Sequence, residues 1–343
     1  MMSVDSSKSH RDTRRIRSAK TERGRGPAVS VIMPAYNTAP YIGEALESVF
    51  GQIYENYEVI VVNDGSPDTE KLEQVLAPYQ SRIVYIKQEN RGPSAARNAG
   101  IMASRAPLIA LLDSDDIWEP DYLAVQVSIL EDNPDIDIIY PDAVYFGDCQ
   151  EDGRRFSDLC PSKGCVTFEN LITQRCNVMV SVTARREVIH RAGMFDETLR
   201  NAEDFDLWMR VALQGGRIDY HSRVLVRYRR RTDSATSNWP GHLTQILRVV
   251  DKLSRHPALT PHEAETLRKE RVRYEAAYKF FTGKNKFLAG DYPAAIEAWT
   301  EANRYYRSIR LGLAVRLMRH APGLVTRMYS MRRRLFSGTM QEF

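Results

Sequence analysis

The apolar residues Leu108-Ile109-Ala110-Leu111-Leu112 run directly into Asp113-Ser114-Asp115-Asp116, and this junction constrains the fold more than any other stretch. A run without polar alternation has no face to give to water. It predicts a strand over 108–112 covered on both sides, as in a parallel sheet between helices. Ligands of open α/β sheets lie just beyond the carboxyl ends of such strands. Three carboxylates packed there repel one another unless a cation joins them. An all-oxygen cluster suits Mg2+ or Mn2+, which keep coordination positions open for phosphate oxygens. An Asp-x-Asp pair alone reads as a solvated acidic turn; its place after a buried strand and the motifs around it favour the cation.

The same pattern recurs upstream. Apolar runs predict strands over 29–33, stopped by Pro34, then over 57–62 and 83–87. Helical spacing fills the gaps at 39–52, where Ile42, Leu46, Val49 and Ile53 share a face, at 70–79 and at 95–104. Strand and helix alternating through short polar turns spell a doubly wound domain. Each strand also ends in polar residues: Ala35-Tyr36-Asn37, then Asn63-Asp64-Gly65-Ser66-Pro67-Asp68, then Gln88 to Ser94. Asp64, beside a glycine that admits close approach, suits the polar edge of a base or a ribose, and equally an Asp-Gly turn. Arg97 falls in a first helical turn, where backbone N–H groups and a guanidinium can jointly face an anion. No Gly-x-Gly-x-x-Gly follows the first strand, which argues against a dinucleotide enzyme.

Further on come a helix over 120–131, a strand over 136–140, and a polar, glycine-containing stretch at 149–164 that reads as a mobile loop. A second acidic site, Glu203-Asp204, opens the apolar helix around Leu207, Trp208, Met209 and Val211, where acids also serve as ordinary first-turn residues. Short strands over 218–221 and 224–228 lead into Arg229-Arg230-Arg231, and His221 reads as structural.

Beyond these lies a different regime. From about residue 241 the apolar spacing is helical throughout, at 245–254, 261–282, 285–289, 292–304 and 307–319. Tyr278, Phe281, the Leu288–Tyr292 turn, Ala295, Trp299 and Ala302 resemble one tetratricopeptide-like hairpin, which cannot stand alone and should pack on the preceding domain. The stretch 311–336 mixes apolar residues with Arg316, Arg319, Arg327, Arg332, Arg333 and Arg334. It reads as a basic amphipathic helix with two fates, contact with a membrane surface or packing by its apolar stripe, the second preferred. Residues 1–26 are basic and nearly devoid of apolar groups, hence a disordered tail. The resulting division is a tail at 1–26, an α/β domain at 27–240 and a helical region at 241–343.

Composition closes off several classes. A net charge of +4 over 343 residues is too weak to argue for nucleic acid. No apolar run reaches a membrane span and no apolar secretion segment follows the start, so a cytoplasmic place is expected, with peripheral contact at the inner membrane face through the basic helix. Cys149, Cys160, Cys165 and Cys176 form no Cys-x-x-Cys pair, which favours free thiols over zinc.

Taken together, Met33-Pro34-Ala35-Tyr36-Asn37, Val61-Val62-Asn63-Asp64-Gly65-Ser66, Asn90-Arg91-Gly92, Ala96-Arg97-Asn98-Ala99-Gly100, Asp113-Ser114-Asp115-Asp116 and Glu203-Asp204-Phe205-Asp206-Leu207-Trp208 resemble a family 2 glycosyltransferase of the GT-A fold. The resemblance covers roughly residues 29–231. It implies a mixed, mostly parallel doubly wound sheet, a nucleotide-sugar donor (a UDP-sugar above others), Mn2+ or Mg2+, and inversion at the anomeric carbon. It assigns Pro34, Ala35, Tyr36, Asn37, Asp64, Asn90, Arg97, Asp113 and Ser114 to the donor pocket, with Tyr36 near the base and Asp64 on its polar edge. Asp115, with Asp113, would hold the metal under the diphosphate, Asp116 being a weaker candidate. Asp204 matches the general base, and Glu203 its neighbour that orients the acceptor. Members of the family often carry a metal-approaching His after a Tyr-Arg pair; here Arg231 stands at that position, and a guanidinium faces a diphosphate rather than a metal. The implied acceptor is a hydroxyl of a glycan, cell-envelope polysaccharide or glycolipid. Two rivals stand beside it: transfer to a polyprenyl phosphate, and a non-catalytic scaffold built on the same fold.

Overall fold

A computed structural model of the chain describes residues 26–147, 149–231 and 239–327; the basic tail and the arginines at 332–334 lie outside them. Eight strands make one sheet: β1 (Val29–Ala35), β2 (Tyr57–Asp64), β3 (Ile83–Gln88), β4 (Leu108–Leu111), β5 (Ile117–Trp118), β6 (Ile138–Phe146), β7 (Thr183–Arg185) and β8 (Ile218–Arg229). Their spatial order is β3-β2-β1-β4-β7-β6-β8-β5. β3, β2, β1 and β4 run parallel, with Ile32 opposite both Ile60 and Leu111. β7 then reverses direction against β4 and β6, and β6 runs parallel to β8. The largely apolar runs of β1, β2 and β4 are almost wholly buried, while no residue of the edge strand β3 is fully buried.

Four expectations change. The helix expected over 39–52 is Ile42–Phe50, so Ile53, assigned to its buried face, lies past the end and is 62% exposed. The strand expected to stop at residue 140 continues to Phe146, because a register shift around Pro141 spares a residue with no N–H to donate. For the same reason the two short strands expected at 218–221 and 224–228 are one strand, β8, irregular opposite that shift. The stretch 149–164, expected as a mobile loop, contains a short helix at Phe156–Leu159. Asp142 holds it, accepting hydrogen bonds from Ser157 N–H (3.1 Å) and Oγ (2.7 Å).

From Trp239 the described residues are helical: Trp239–Leu253, Pro261–Leu288, Tyr292–Tyr306 and Ile309–His320. No helix among the described residues is long and apolar enough to cross a membrane. The helices expected at 261–282 and 285–289 are one, Pro261–Leu288, which runs through Gly283. A Cβ there would sit 2.5 Å from Trp299 Cδ1, so the glycine lets the indole lie flat against the backbone. Leu243, Ile246, Val249, Leu253, Leu267 and Tyr274 join the core of the sheet domain, and Phe287, Ala295, Trp299, Val315 and Met318 form a smaller one. Lys252 Nζ fastens the first of these helices to buried Asp206 (2.9 Å) and to Asp196 (2.6 Å). The helical region therefore leans on the α/β domain along a shared core.

Candidate functional site

A parallel arrangement brings the carboxyl ends of β1, β2 and β4 to one edge of the sheet. Their terminal residues line a single cleft of about 2530 Å³. Pro34 to Asn37, Asp64, Asn90, Arg97, Asp113 to Asp115, Glu203 and Asp204 all face it. Tyr36 is half-exposed at the rim. Asn37 turns the chain with a left-handed φ of 55°, and its N–H donates to Ser66 Oγ at 2.7 Å. Ser114 is buried and donates to Thr38 Oγ1 at 2.8 Å, tying the acidic turn to the first strand's loop. Asp64 is buried at the end of β2, where Oδ1 accepts from Gln88 Nε2 (2.7 Å) and Arg91 N–H (3.0 Å), and Oδ2 from Gly92 N–H (2.8 Å). Its carboxylate thus organises the 88–92 loop that carries Asn90. Gly65, at φ 61°, lets the two loops touch, since a Cβ would lie 2.6 Å from Asn90 N.

Arg97 joins the two acidic sites. It is buried in the helix Pro93–Ala103. Its Nη2 meets Asp113 Oδ1 at 2.7 Å and its Nη1 meets Glu203 Oε1 at 2.6 Å. Burial disfavours the guanidinium's charge, but the two carboxylates outweigh it and hold Arg97 firmly protonated. The ring of Phe195 lies 5.5 Å from the guanidinium carbon.

The acidic turn is closed by Asp116 N–H donating to Asp113 O at 3.0 Å. Asp115 Oδ2 lies 3.3 Å from Arg231 Nη1, and burial, then Asp113, raise its carboxyl against that pull. Asp116 is buried; its Oδ1 accepts from Arg229 N–H at 2.8 Å, while Oδ2 has no partner among the described residues. Burial, then the charges of Asp115 and Asp113, push its carboxyl well above the usual carboxylate range. Asp116 therefore anchors the end of β8.

No group of three His, Cys, Asp or Glu side chains able to hold an ion occurs among the described residues. Asp113 and Asp115 offer partly exposed carboxylates, 29% and 24%, and Arg231 stacks on Tyr41 at 4.8 Å beside them. That donor set fits Mg2+ or Mn2+ bound through one or two carboxylates, the remaining positions being filled by ligand phosphates. His221 is not part of it: it pairs with Gln126 Oε1 at 3.1 Å outside the cleft lining.

Glu203 and Asp204 open the helix Glu203–Leu213 after Ala202, whose φ of 60° swings the helix start toward the cleft. Asp204 Oδ1 accepts from Phe205 N–H at 2.7 Å. Its carboxyl is pushed up to about 7, first by burial and then by the negative charge of Glu203. A carboxylate poised near neutrality beside an acidic, cation-ready turn can take a proton from one ligand while charge leaves on another. No sequence motif marks the wall of the cleft that Trp239, His242 and Phe281 of the helical region supply. Trp239 stacks on Phe281 at 5.4 Å, and His242 hydrogen-bonds Asn201, next to Ala202.

Comparison with known proteins gives a consistent picture. The glycosyl transferase family 2 model matches residues 30–197. The uncharacterized glycosyltransferase MJ1057 of Methanocaldococcus jannaschii is 32% identical over 212 residues, 59% of this chain and 71% of the relative. A glycosyltransferase of Rickettsia felis, also uncharacterized, is 29% identical over 275 residues; these cover 78% of this chain but only 43% of the relative's length. Among solved structures, Staphylococcus aureus TarS 1-349 in complex with UDP superposes with a TM-score of 0.58 at 20% identity, over 80% of this chain and 79% of that one. Mannosyltransferase PcManGT from Pyrobaculum calidifontis, in complex with GDP-Man and Mn2+, gives 0.60 at 20% identity, over 92% and 84%.

Proposed function

The chain belongs to glycosyl transferase family 2 and is a glycosyltransferase, and from that premise we propose that it moves a sugar, with inversion, from a nucleotide-sugar to a hydroxyl of a glycan, polysaccharide or glycolipid. The observation that carries this reading is Arg97 holding Asp113 and Glu203 in one cleft, with Asp204 beside them. The nucleoside lies between Tyr36 and the loop organised by Asp64, and the diphosphate lies over Asp115 with Arg231 at its flank. When bound there, Mg2+ or Mn2+ supplies positive charge beneath the departing diphosphate. Nucleotide and metal ligands of the structural neighbours (UDP in one, GDP-Man with Mn2+ in the other) support this donor class.

Asp204 takes the proton of the acceptor hydroxyl as that oxygen bonds to the anomeric carbon and the nucleoside diphosphate departs on the opposite face. Such base assistance contributes about 10²–10⁴-fold. Glu203, fixed by Arg97, orients the acceptor and sets the field around Asp204. The rival acceptor, a polyprenyl phosphate, is already ionised and would leave Asp204 idle. The deciding experiment first finds the donor by screening nucleotide sugars for Mn2+-dependent thermal stabilisation. It then compares Asp115→Asn and Asp204→Asn in turnover. Loss in both is expected. Near wild-type turnover in both overturns the reading, and loss in Asp115→Asn alone favours the phosphate acceptor.

A further inference from the structure

The helix Ile309–His320 has two apolar faces where packing needs one. Val315 and Met318 are buried against the small core, with Leu311 packed beside them. This satisfies the packed-stripe reading of the sequence. On the opposite side Ile309 is 81% exposed, Leu313 52% and Leu317 40%, spaced four residues apart so that they form one continuous row. At about 100° per residue the centre of this row lies roughly 160° from that of the buried face. Tyr305 and Leu324, on the helical segments just before and after, are also exposed. The flanks are basic: Arg310, Arg316, Arg319, His320 and Arg327 are exposed, and residues 309–327 contain no Asp or Glu.

We infer that this face docks on an anionic membrane surface, the helix lying in the plane of the interface with its leucines among the acyl chains and its arginines among the headgroups. An exposed apolar row has no reason to persist against water without a partner to cover it. The charge identifies that partner. A second copy would bring one acid-free arginine flank against another, which like-charge repulsion opposes. A negatively charged lipid surface attracts the same flank, and accepts Leu and Ile at headgroup depth. Arg310, Leu311 and Ala314 line the cleft that holds the acidic sites, whereas Ile309, Leu313 and Leu317 do not, and the inference goes beyond the proposed reaction.

The test is co-sedimentation of the full chain with vesicles of phosphatidylcholine alone and with phosphatidylglycerol added, at low and high salt. Leu313→Gln with Leu317→Gln is the informative variant, because both positions are exposed and glutamine keeps helix propensity. Expected are binding to the phosphatidylglycerol vesicles that weakens with salt, and a loss of about tenfold for each leucine removed. Donor-nucleotide stabilisation should stay unchanged in the variant, which reports the fold. Absence of binding to anionic vesicles at low salt overturns the inference. So does binding that persists in the variant, which would trace it to basic residues elsewhere. A wild-type dimer in light scattering that the variant dissolves would assign the face to a second copy and also overturn it.

Discussion

Replacing Glu203 by glutamine should move the pH dependence of turnover downward. The carboxyl of Asp204 is pushed up to about 7, first by burial and second by the charge on Glu203, with Arg97 drawing it partly back. Glutamine keeps the volume and removes the charge. It also leaves Arg97 with Asp113 alone to neutralise, so the guanidinium acts more strongly on Asp204. Both changes favour the Asp204 carboxylate, so the sign is downward. Two like charges about 6 Å apart at an effective dielectric of ~20 interact by ~3 kcal/mol, and water in an open cleft screens much of that. A shift of about one pH unit, ~1.4 kcal/mol, is the expectation. The assay is initial-rate release of nucleoside diphosphate at subsaturating acceptor from about pH 5.5 to 9. Wild-type kcat/KM should rise about tenfold per unit up to a break near 7 and then level, because a general base must be ionised. In Glu203→Gln the break should fall near 6 whatever the height of the plateau. A break that stays in place or moves upward, or a wild-type profile flat across that range, refutes the assignment of Asp204 as base under the control of Glu203.

Arg97→Lys should lower kcat/KM about a hundredfold, because one ammonium cannot reach both Asp113 and Glu203 as the forked guanidinium does; steady-state kinetics on correctly folded protein checks it. Gly283→Ala should cost about 1–3 kcal/mol in urea denaturation, since the added Cβ collides with Trp299 in the small helical core. Lys252→Met should flatten the acid side of the stability curve. Burial raises the carboxyl of Asp196, but Lys252 and Thr198 outweigh it and hold it near about 2. The stability this supplies is present above the ordinary carboxylate pKa and disappears as pH falls through the folded value; the variant should lose that dependence between about pH 4 and 2 in acid titrations followed by circular dichroism.

How much of this was legible in the chain depended on whether a signal was local. β1, β2 and β4 announce themselves because burial on both faces leaves few polar residues in the run, Ser30 and Glu58 among them. The residues that follow them converge because parallel strands end at one edge. Asp64, Asn37, Ser114 and Asp113 could therefore be placed in one cleft without knowing a single contact. The contact of Arg97 with Glu203 could not, since 106 residues separate them and no periodicity links the two. The full extents of β6 and β8 are hidden for a related reason. Pro141 and the polar Ser222-Arg223 look like stops, and only their partner strand shows that the register absorbs them. Asp116 was ambiguous beside Asp115 until the backbone of Arg229 turned it inward. The outer face of the helix Ile309–His320 illustrates the opposite case. Its spacing was visible, but a stripe read from sequence cannot say which of two faces the neighbours will cover.

The charge distribution of the cleft carries one more consequence. Asp113, Asp115, Asp116, Glu203 and Asp204 crowd together at one end of the cleft with Arg97, Arg229 and Arg231, while Arg200, Arg230, Arg310 and Lys284 line the remainder. The protein relieves part of the crowding by raising the carboxyls of Asp116 and Asp204, which favours keeping protons on them. A nucleoside diphosphate laid over the acidic turn meets repulsion from Asp113 and Asp115, with Arg231 as the guanidinium beside them. Affinity for the donor should therefore depend on a cation arriving with it, and by linkage the dependence must be mutual. Calorimetry with UDP and GDP as probes, in EDTA and in Mn2+, should show the preferred nucleotide bound about tenfold or more tightly with the metal. Mn2+ affinity should rise by the same factor when the nucleotide is present. Asp115→Asn should abolish the coupling while leaving the weaker metal-free binding, which Arg231 sustains. Equal nucleotide affinity in EDTA and Mn2+ would mean that Arg231 alone answers the diphosphate, and that the acidic turn serves some purpose other than cation binding.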